Sequence, residues 1–304
     1  ELGIDAGAAL TSAQEDHLDQ FLPMFSVFDH VIVKARINGK DIYLDGTRTG
    51  DRSLTPDQPL PFSHVLPLVH NAQLEALPMT LPPRPLGQTL LEIDMSAGLY
   101  SPARITASRV HRGDSAMTYM AAFSLTPTEV QQYSDLLWKD LLKDLGTLQD
   151  PQSSWEYLPD THEAVFRVSG TAVLDWSNTA RIPLAHVTWR ASPARLEGPF
   201  VNDNRSTDYP SYSSFKTTLV LPEGDEPLEI KVDPYDVEAS GVRYFRTVER
   251  EGNRLTVNRQ RQTLRPESTA EEDREAQTIL DTFEDKTATM RPSRRYAMSA
   301  SDQT

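Results

Sequence analysis

Two residues in the first fifty have the types and the spacing to do chemistry together. His30 heads an apolar strand pattern, HVIVKARI, and Asp45 closes the next one, KDIYLD, with Asn38-Gly39 between them. Asn-Gly flanked by alternating apolar residues is the strongest short hairpin signal, a two-residue type I′ turn. A turn centred there pairs Ile37 with Lys40, so further in Ile32 faces Asp45 and His30 faces Thr47. Opposed residues share a face, as do residues two apart on one strand. His30 and Asp45 thereby become diagonal neighbours, roughly 7–8 Å apart at the backbone, within reach of a carboxylate–imidazole hydrogen bond.

A carboxylate beside an imidazole fixes its tautomer and stabilises the imidazolium formed in proton transfer. That is the base-and-orienter part of a triad whose nucleophile comes from a separate element. The same spacing also describes an ordinary surface pair, which on spacing alone is the commoner outcome. A one-residue slip in register would send the two side chains to opposite faces.

Composition narrows the classes. The chain has 304 residues, 38% of them hydrophobic, with ten Phe and ten Tyr, enough for two domains with buried cores. Its formal charge of −14 opposes binding to nucleic acid, which needs clustered Lys and Arg. There is no Cys, so disulfides, thiolate metal sites and a cysteine nucleophile are excluded within this chain. Its longest uncharged runs, such as 58–74, carry prolines and histidines and are not membrane spans.

The elements that must position the pair fall into regions. Residues 1–55 hold the hairpin. Residues 56–87 are Pro-rich and read as a long irregular connection. Residues 88–290 show short strands at 89–95, 102–110, 117–123, 163–175, 181–189, 215–221, 227–232, 241–249 and 254–263. Two helices interrupt them. One starts at Thr126-Pro127 with Glu129 completing a capping box, carries an apolar stripe through Val130, Tyr133, Leu137, Leu141 and Leu145, and stops at Gly146. The other is capped by Ser268 with Glu271 and buries Ala276, Ile279, Leu280 and Phe283. Residues 291–304 form a small, polar, frayed tail. The fold class expected is α+β, mostly β: an antiparallel hairpin from a core domain, then an antiparallel, sandwich-like accessory domain with two helices.

The segments ELGIDAGAALTS, FDHVIV and YLDGT together resemble the second half of a bacterial transglutaminase-like core domain. In that family a helix bearing the catalytic Cys ends in an LGIDA-type segment. A strand of F-[ND]-H-V-I-V type supplies the His, and a strand ending [WY]-L-D-P-T supplies the Asp. Phe28, Asp29 and His30 match the first strand pattern. Tyr43, Leu44, Asp45 and Thr47 match the second, with Gly46 where the family has Pro. The likeness covers roughly the first 55 residues. More loosely, VSGTAVLDW, YPSYSSFKTTLVLPEG and GVRYFRTVEREGNRLTVNRQRQTL resemble the β-rich regions of unknown function that accompany such cores in Gram-negative bacteria.

The resemblance implies a Cys-His-Asp triad acting on amide bonds of a protein or peptide substrate. His30 would be general base and acid, and Asp45 its orienter. It also implies a nucleophile upstream, on the helix that ends in ELGIDA, so that the chain reads as the C-terminal part of a larger protein and is inert alone. A periplasmic or cell-envelope location follows from the resemblance. The alternative is a non-catalytic binding or scaffolding module of the cell envelope.

Other groups point to less. His64 and His70 lack the i, i+4 spacing of a helical metal pair, and no cofactor or metal site is expected. His162-Glu163 begins a strand, Arg112-Gly113-Asp114 reads as a hairpin turn, and Trp176 and Trp189 read as core or edge aromatics. No phosphate loop, serine elbow or nucleic-acid motif is present.

Overall fold

The computed structural model describes residues 3–13, 17–22, 24–48, 59–77, 80–121, 126–142, 147–174, 176, 182–183, 201–223, 228–284 and 289–293. The chain is mostly β, built of antiparallel sheets with few helices. In chain order the first strands are β1 (Asp5–Thr11), β2 (His30–Ile37), β3 (Lys40–Leu44), β4 (His64–Pro67) and β5 (Glu75–Ala76). They form one sheet in the order β3-β2-β1-β4-β5.

The hairpin takes the register expected of its turn. Asn38 and Gly39 both have positive φ, 53° and 77°, as a type I′ turn requires, and Ile37 pairs with Lys40 and Val33 with Leu44. Alternation then sorts the sheet into two faces. Ala9 and Ile32 are opposed and buried, and with Phe62 and Val65 they form a small core, against which Tyr43, Leu60 and Leu77 pack. On the other face Val31, Val33 and Leu44 stay exposed.

Two expectations change here. Asp5 and Ala6, expected to end a helix that closes in ELGIDA, instead open strand β1 (Asp5–Thr11), the centre of the sheet, paired along its length with β2. Its Ala-Gly-Ala run has weak strand propensity, and pairing on both edges supplies what propensity does not. The Pro-rich stretch expected to be irregular contributes β4 and β5, with Pro67 seated opposite Ala9.

The remaining strands are β6 (Gly87–Asp94), β7 (Ala103–Arg112), β8 (Gln149–Leu158), β9 (Glu163–Ala172), β10 (Ile182–Pro183), β11 (Arg205–Ser206), β12 (Ser211–Val220), β13 (Leu228–Lys231), β14 (Tyr235–Ala239), β15 (Val242–Glu251), β16 (Arg254–Thr263), β17 (Glu267–Ser268) and β18 (Thr289–Pro292). Eight of them make a second sheet, β14-β15-β16-β12-β6-β7-β9-β8, antiparallel except for the β6–β12 seam. Opposed residues run across it in rows. One row is Leu255, Leu219, Ile93 and Ile105, and the next is Val257, Thr217, Leu91, Ala107 and Val168. The apolar residues of both rows belong to a core cluster completed by Trp138 and Leu142 of helix α2 (Pro127–Leu142) and by Leu228 and Met290 of the three-stranded sheet β10-β18-β13.

Gly170 lies beside Ile105 where β8 bulges against β9. A Cβ there would stand 2.7 Å from the Gln149 carbonyl and 2.8 Å from a Leu148 side-chain carbon, so only glycine fits.

The helices also differ in part from expectation. Residues 117–123 read as a strand, yet Asp114–Ala121 is a helix, α1, and Arg112-Gly113-Asp114 is a strand-to-helix junction instead of a hairpin turn. A short apolar run fits either element, and burial of Ala116 decides it here. At α2 the Thr126–Glu129 capping box is present, with Glu129 accepting from both the Thr126 amide (2.7 Å) and its hydroxyl. The side chains of Val130, Tyr133, Leu137 and Leu141, and residues 145–146, lie outside the described residues.

Helix α3 (Ala270–Glu284) is capped one residue later than expected, by Thr269 with Glu272. Ser268 is committed elsewhere, donating to the buried Asp273 carboxylate. Ala276 and Leu280 bury against Ala239, Val242 and Tyr244; the Phe283 side chain lies outside the described residues.

Candidate active site

β2 starts at His30 and β3 runs out just before Asp45, so both side chains stand at one end of the first sheet. The start of β2 is tied down twice: the Asp29 amide donates to the Thr11 carbonyl (3.2 Å), and the Asp29 carboxylate accepts from the Ala13 amide (2.8 Å). His30 sits opposite Thr11 across β1, and its ring lies 5.3 Å from the buried Phe62 ring. That contact fixes the plane of the imidazole.

His30 Nε2 and Asp45 Oδ2 are 2.9 Å apart. The Asp45 side chain is 5% exposed and the His30 side chain 23%, so the carboxylate is enclosed and the imidazole keeps an open edge. The second Asp45 oxygen accepts from the Thr47 amide (2.9 Å) and from its hydroxyl (2.7 Å), an Asx-type closure over Gly46. Burial works to raise the Asp45 carboxyl, but the Thr47 bonds and the imidazole outweigh it and hold the group below the usual carboxylate range. Asp45 is thus an ionised acceptor with both oxygens engaged. It holds the proton of His30 on Nε2 and leaves the Nδ1 lone pair to accept another.

The sequence therefore marks the two hydrogen-bonded partners, and the fold adds what they need. Thr47 carries a readable signal, a hydroxyl residue two positions after an aspartate. Phe62 carries none, because it lies in a Pro-rich stretch with no periodicity. Thr11 faces His30 but donates its hydroxyl to the His64 carbonyl (2.7 Å). Among the described residues no hydroxyl hydrogen-bonds to His30, and the chain contains no Cys.

The other singled-out residues are placed apart. His64 lies on β4 with Nε2 3.8 Å from Asp19. His162 takes a hydrogen bond with the Tyr157 hydroxyl (3.1 Å). Trp176 donates to the Leu99 carbonyl and packs on the main core, and Trp189 lies outside the described residues. Among the described residues no group of three or more His, Asp or Glu is placed to hold a metal. No helix among them is long and apolar enough to cross a membrane.

Fold and site together define a mostly β protein carrying a histidine–carboxylate dyad at a sheet end. No family model matches the chain, and no curated protein matches it. A similar solved structure is the crystal structure of a candidate protease from Parabacteroides distasonis ATCC 8503, at 13% identity and a TM-score of 0.42. The likeness covers 95% of this chain, which spans 40% of the length of that protein.

Proposed function

We propose that His30 and Asp45 are the general base and its orienter in a transglutaminase-like cysteine peptidase or transamidase. The nucleophilic thiol would come from a segment outside these 304 residues. The observation that supports this reading most is the 2.9 Å Nε2–Oδ2 bond between a half-open imidazole and an enclosed carboxylate locked by Thr47. A surface pair needs neither the enclosure nor the second lock.

In the reaction, His30 Nδ1 takes the thiol proton as sulfur attacks the amide carbonyl. The imidazolium, stabilised by Asp45, then protonates the departing amine as the C–N bond breaks and a thioester forms. Water or an amine attacks the thioester next, giving hydrolysis or transfer, with His30 again relaying the proton. Alone, the dyad has no nucleophile and turns over no amide.

The test is made on the full-length parent protein. Recovery of the preceding coding sequence should show a Cys upstream of Glu1, and iodoacetamide should block amide turnover. A parent without that Cys overturns the reading. The absence of Cys here favours one other reading, a non-catalytic envelope module, which predicts ligand binding with no thiol-dependent turnover. The cell-envelope location belongs to the same proposal, and fractionation of the parent's host cells tests it.

A further inference from the structure

A second feature of the first sheet lies on the face away from the dyad. Two single turns of 3-10 helix, Leu18–Gln20 and Phe25–Val27, face the β4–β5 hairpin. Between them is a cavity of about 670 Å³ walled by Phe21, Leu22, Phe25, Phe28, Leu66 and Leu74. That volume lies within the range of small-ligand and peptide pockets, and it exceeds what one side chain fills.

The mouth is as apolar as the wall. Phe25 is 88% exposed and Leu22 79%, and the floor continues onto the open sheet face, because Leu66 is opposed to Leu10 and Leu10 to Val31. A continuous apolar surface of this kind marks a binding site. Two polar groups interrupt it, Asp19 and His64. The 3.8 Å between them is too long for a hydrogen bond. The His64 ring instead bonds Ser63 (3.0 Å), and the Asp19 carboxylate, 56% exposed, has no hydrogen-bond partner among the described residues. A half-exposed carboxylate at the lip of an apolar cavity, with the His64 ring 3.8 Å away and no hydrogen bond to it, favours a cation.

We infer that this cavity binds an extended peptide segment carrying two or three consecutive large apolar side chains followed by a Lys or Arg. The apolar side chains fill the space between the 3-10 turns and β4, and the cation meets Asp19. The inference does not rest on the dyad's role, and binding is read without turnover.

The experiment titrates the 304-residue chain into a fluorescein-labelled peptide with an Ala-Leu-Phe-Leu-Lys-Ala core and follows anisotropy. Two further peptides replace Lys by Glu, or the Leu-Phe-Leu run by three Ser. Saturable binding of the Lys peptide is expected, about fivefold weaker for the Glu peptide, as one half-exposed ion pair allows, and lost for the Ser peptide. Asp19→Asn should equalise the Lys and Glu peptides. Leu22→Asp, at an exposed position that folding does not need, should weaken the Lys peptide at least tenfold. Equal binding of Lys and Glu peptides by the unaltered chain, or a preference that survives Asp19→Asn, overturns the inference. So does a concentration-dependent dimer dissolved by Leu22→Asp, which assigns the surface to a second copy of the chain.

Discussion

The two large sheets solve the same problem differently. The eight-stranded sheet covers its apolar rows with α2 and the three-stranded sheet, so that Leu219 and Ile105 are buried. The five-stranded sheet buries one face over a core of Ala9, Ile32, Phe62 and Val65 and leaves Val31, Val33 and Leu44 in solvent on the other. An ion pair of Arg48 with Asp114 at 3.1 Å and a hydrogen bond of His17 with Glu267 at 2.8 Å tie the two regions together. The dyad therefore stands on the region with the smaller core and the larger unmet demand for partners.

The largest effect should come from the dyad itself. In the full-length parent, His30→Ala should lower kcat/KM for amide turnover by about a thousandfold or more, as loss of a general base does. A residual rate near the unaltered one would place the chemistry elsewhere.

Next come the two cores. Leu219→Ala should destabilise the large sheet by about 3 kcal/mol. Denaturant titration followed by tryptophan fluorescence reads this cleanly, because all four Trp lie beyond residue 137. Ile32→Ala should leave that transition in place and instead speed amide exchange along β1 and β2. If Ile32→Ala shifts the tryptophan transition as far as Leu219→Ala does, the two regions fold as one unit and the contrast fails.

A pH dependence of similar size belongs to the large sheet. His111 is buried between Tyr119 and Phe166 with Nε2 unpartnered, and desolvation, helped by the Arg109 charge, pushes it down to about 4. The unfolded chain takes up that proton first, near pH 6.5. Stability is therefore full above that pH and declines as pH falls toward 4, by about 3 kcal/mol in all. His111→Phe should flatten this part of the stability profile; an unchanged slope would mean another group carries it.

The smallest effect tests the lock on the carboxylate. Thr47→Val removes one hydrogen bond of about 1 kcal/mol, lets the Asp45 carboxyl rise, and should move the acid limb of the parent's pH–rate profile upward with about a fivefold loss in kcat/KM. A fall in rate with the acid limb unmoved would make Thr47 structural only.

How much of this could be read beforehand depended on how local the cause was. Asn38-Gly39 dictates its own turn, so the hairpin and its register were legible. So was the Thr126–Glu129 box, whose two partners are three residues apart. Strand β1 was not, because Ala and Gly form a strand there only by pairing with β2 and β4. Strand β8 escaped notice for a related reason, since its Gln-Asp-Pro-Gln start is polar and it sits at a sheet edge. The cap of α3 was misplaced by one residue because overlapping Ser268–Glu271 and Thr269–Glu272 patterns compete, and the distant Arg205 and Ser240, which hold Asp273 with Ser268, settle the competition. At the site the pair was visible, while its packing partner Phe62 was not.

The parallel seam between β6 and β12 sets the order in which the large sheet can assemble. Each side of it, 87–172 and 211–263, is made of antiparallel neighbours close in sequence, whereas the seam joins Leu91 to Thr217 across more than a hundred intervening residues. Closing so long a loop is the slow entropic step. The two halves should ripen first as separate hairpin stacks, and the centre of the finished sheet should be the last part to zip.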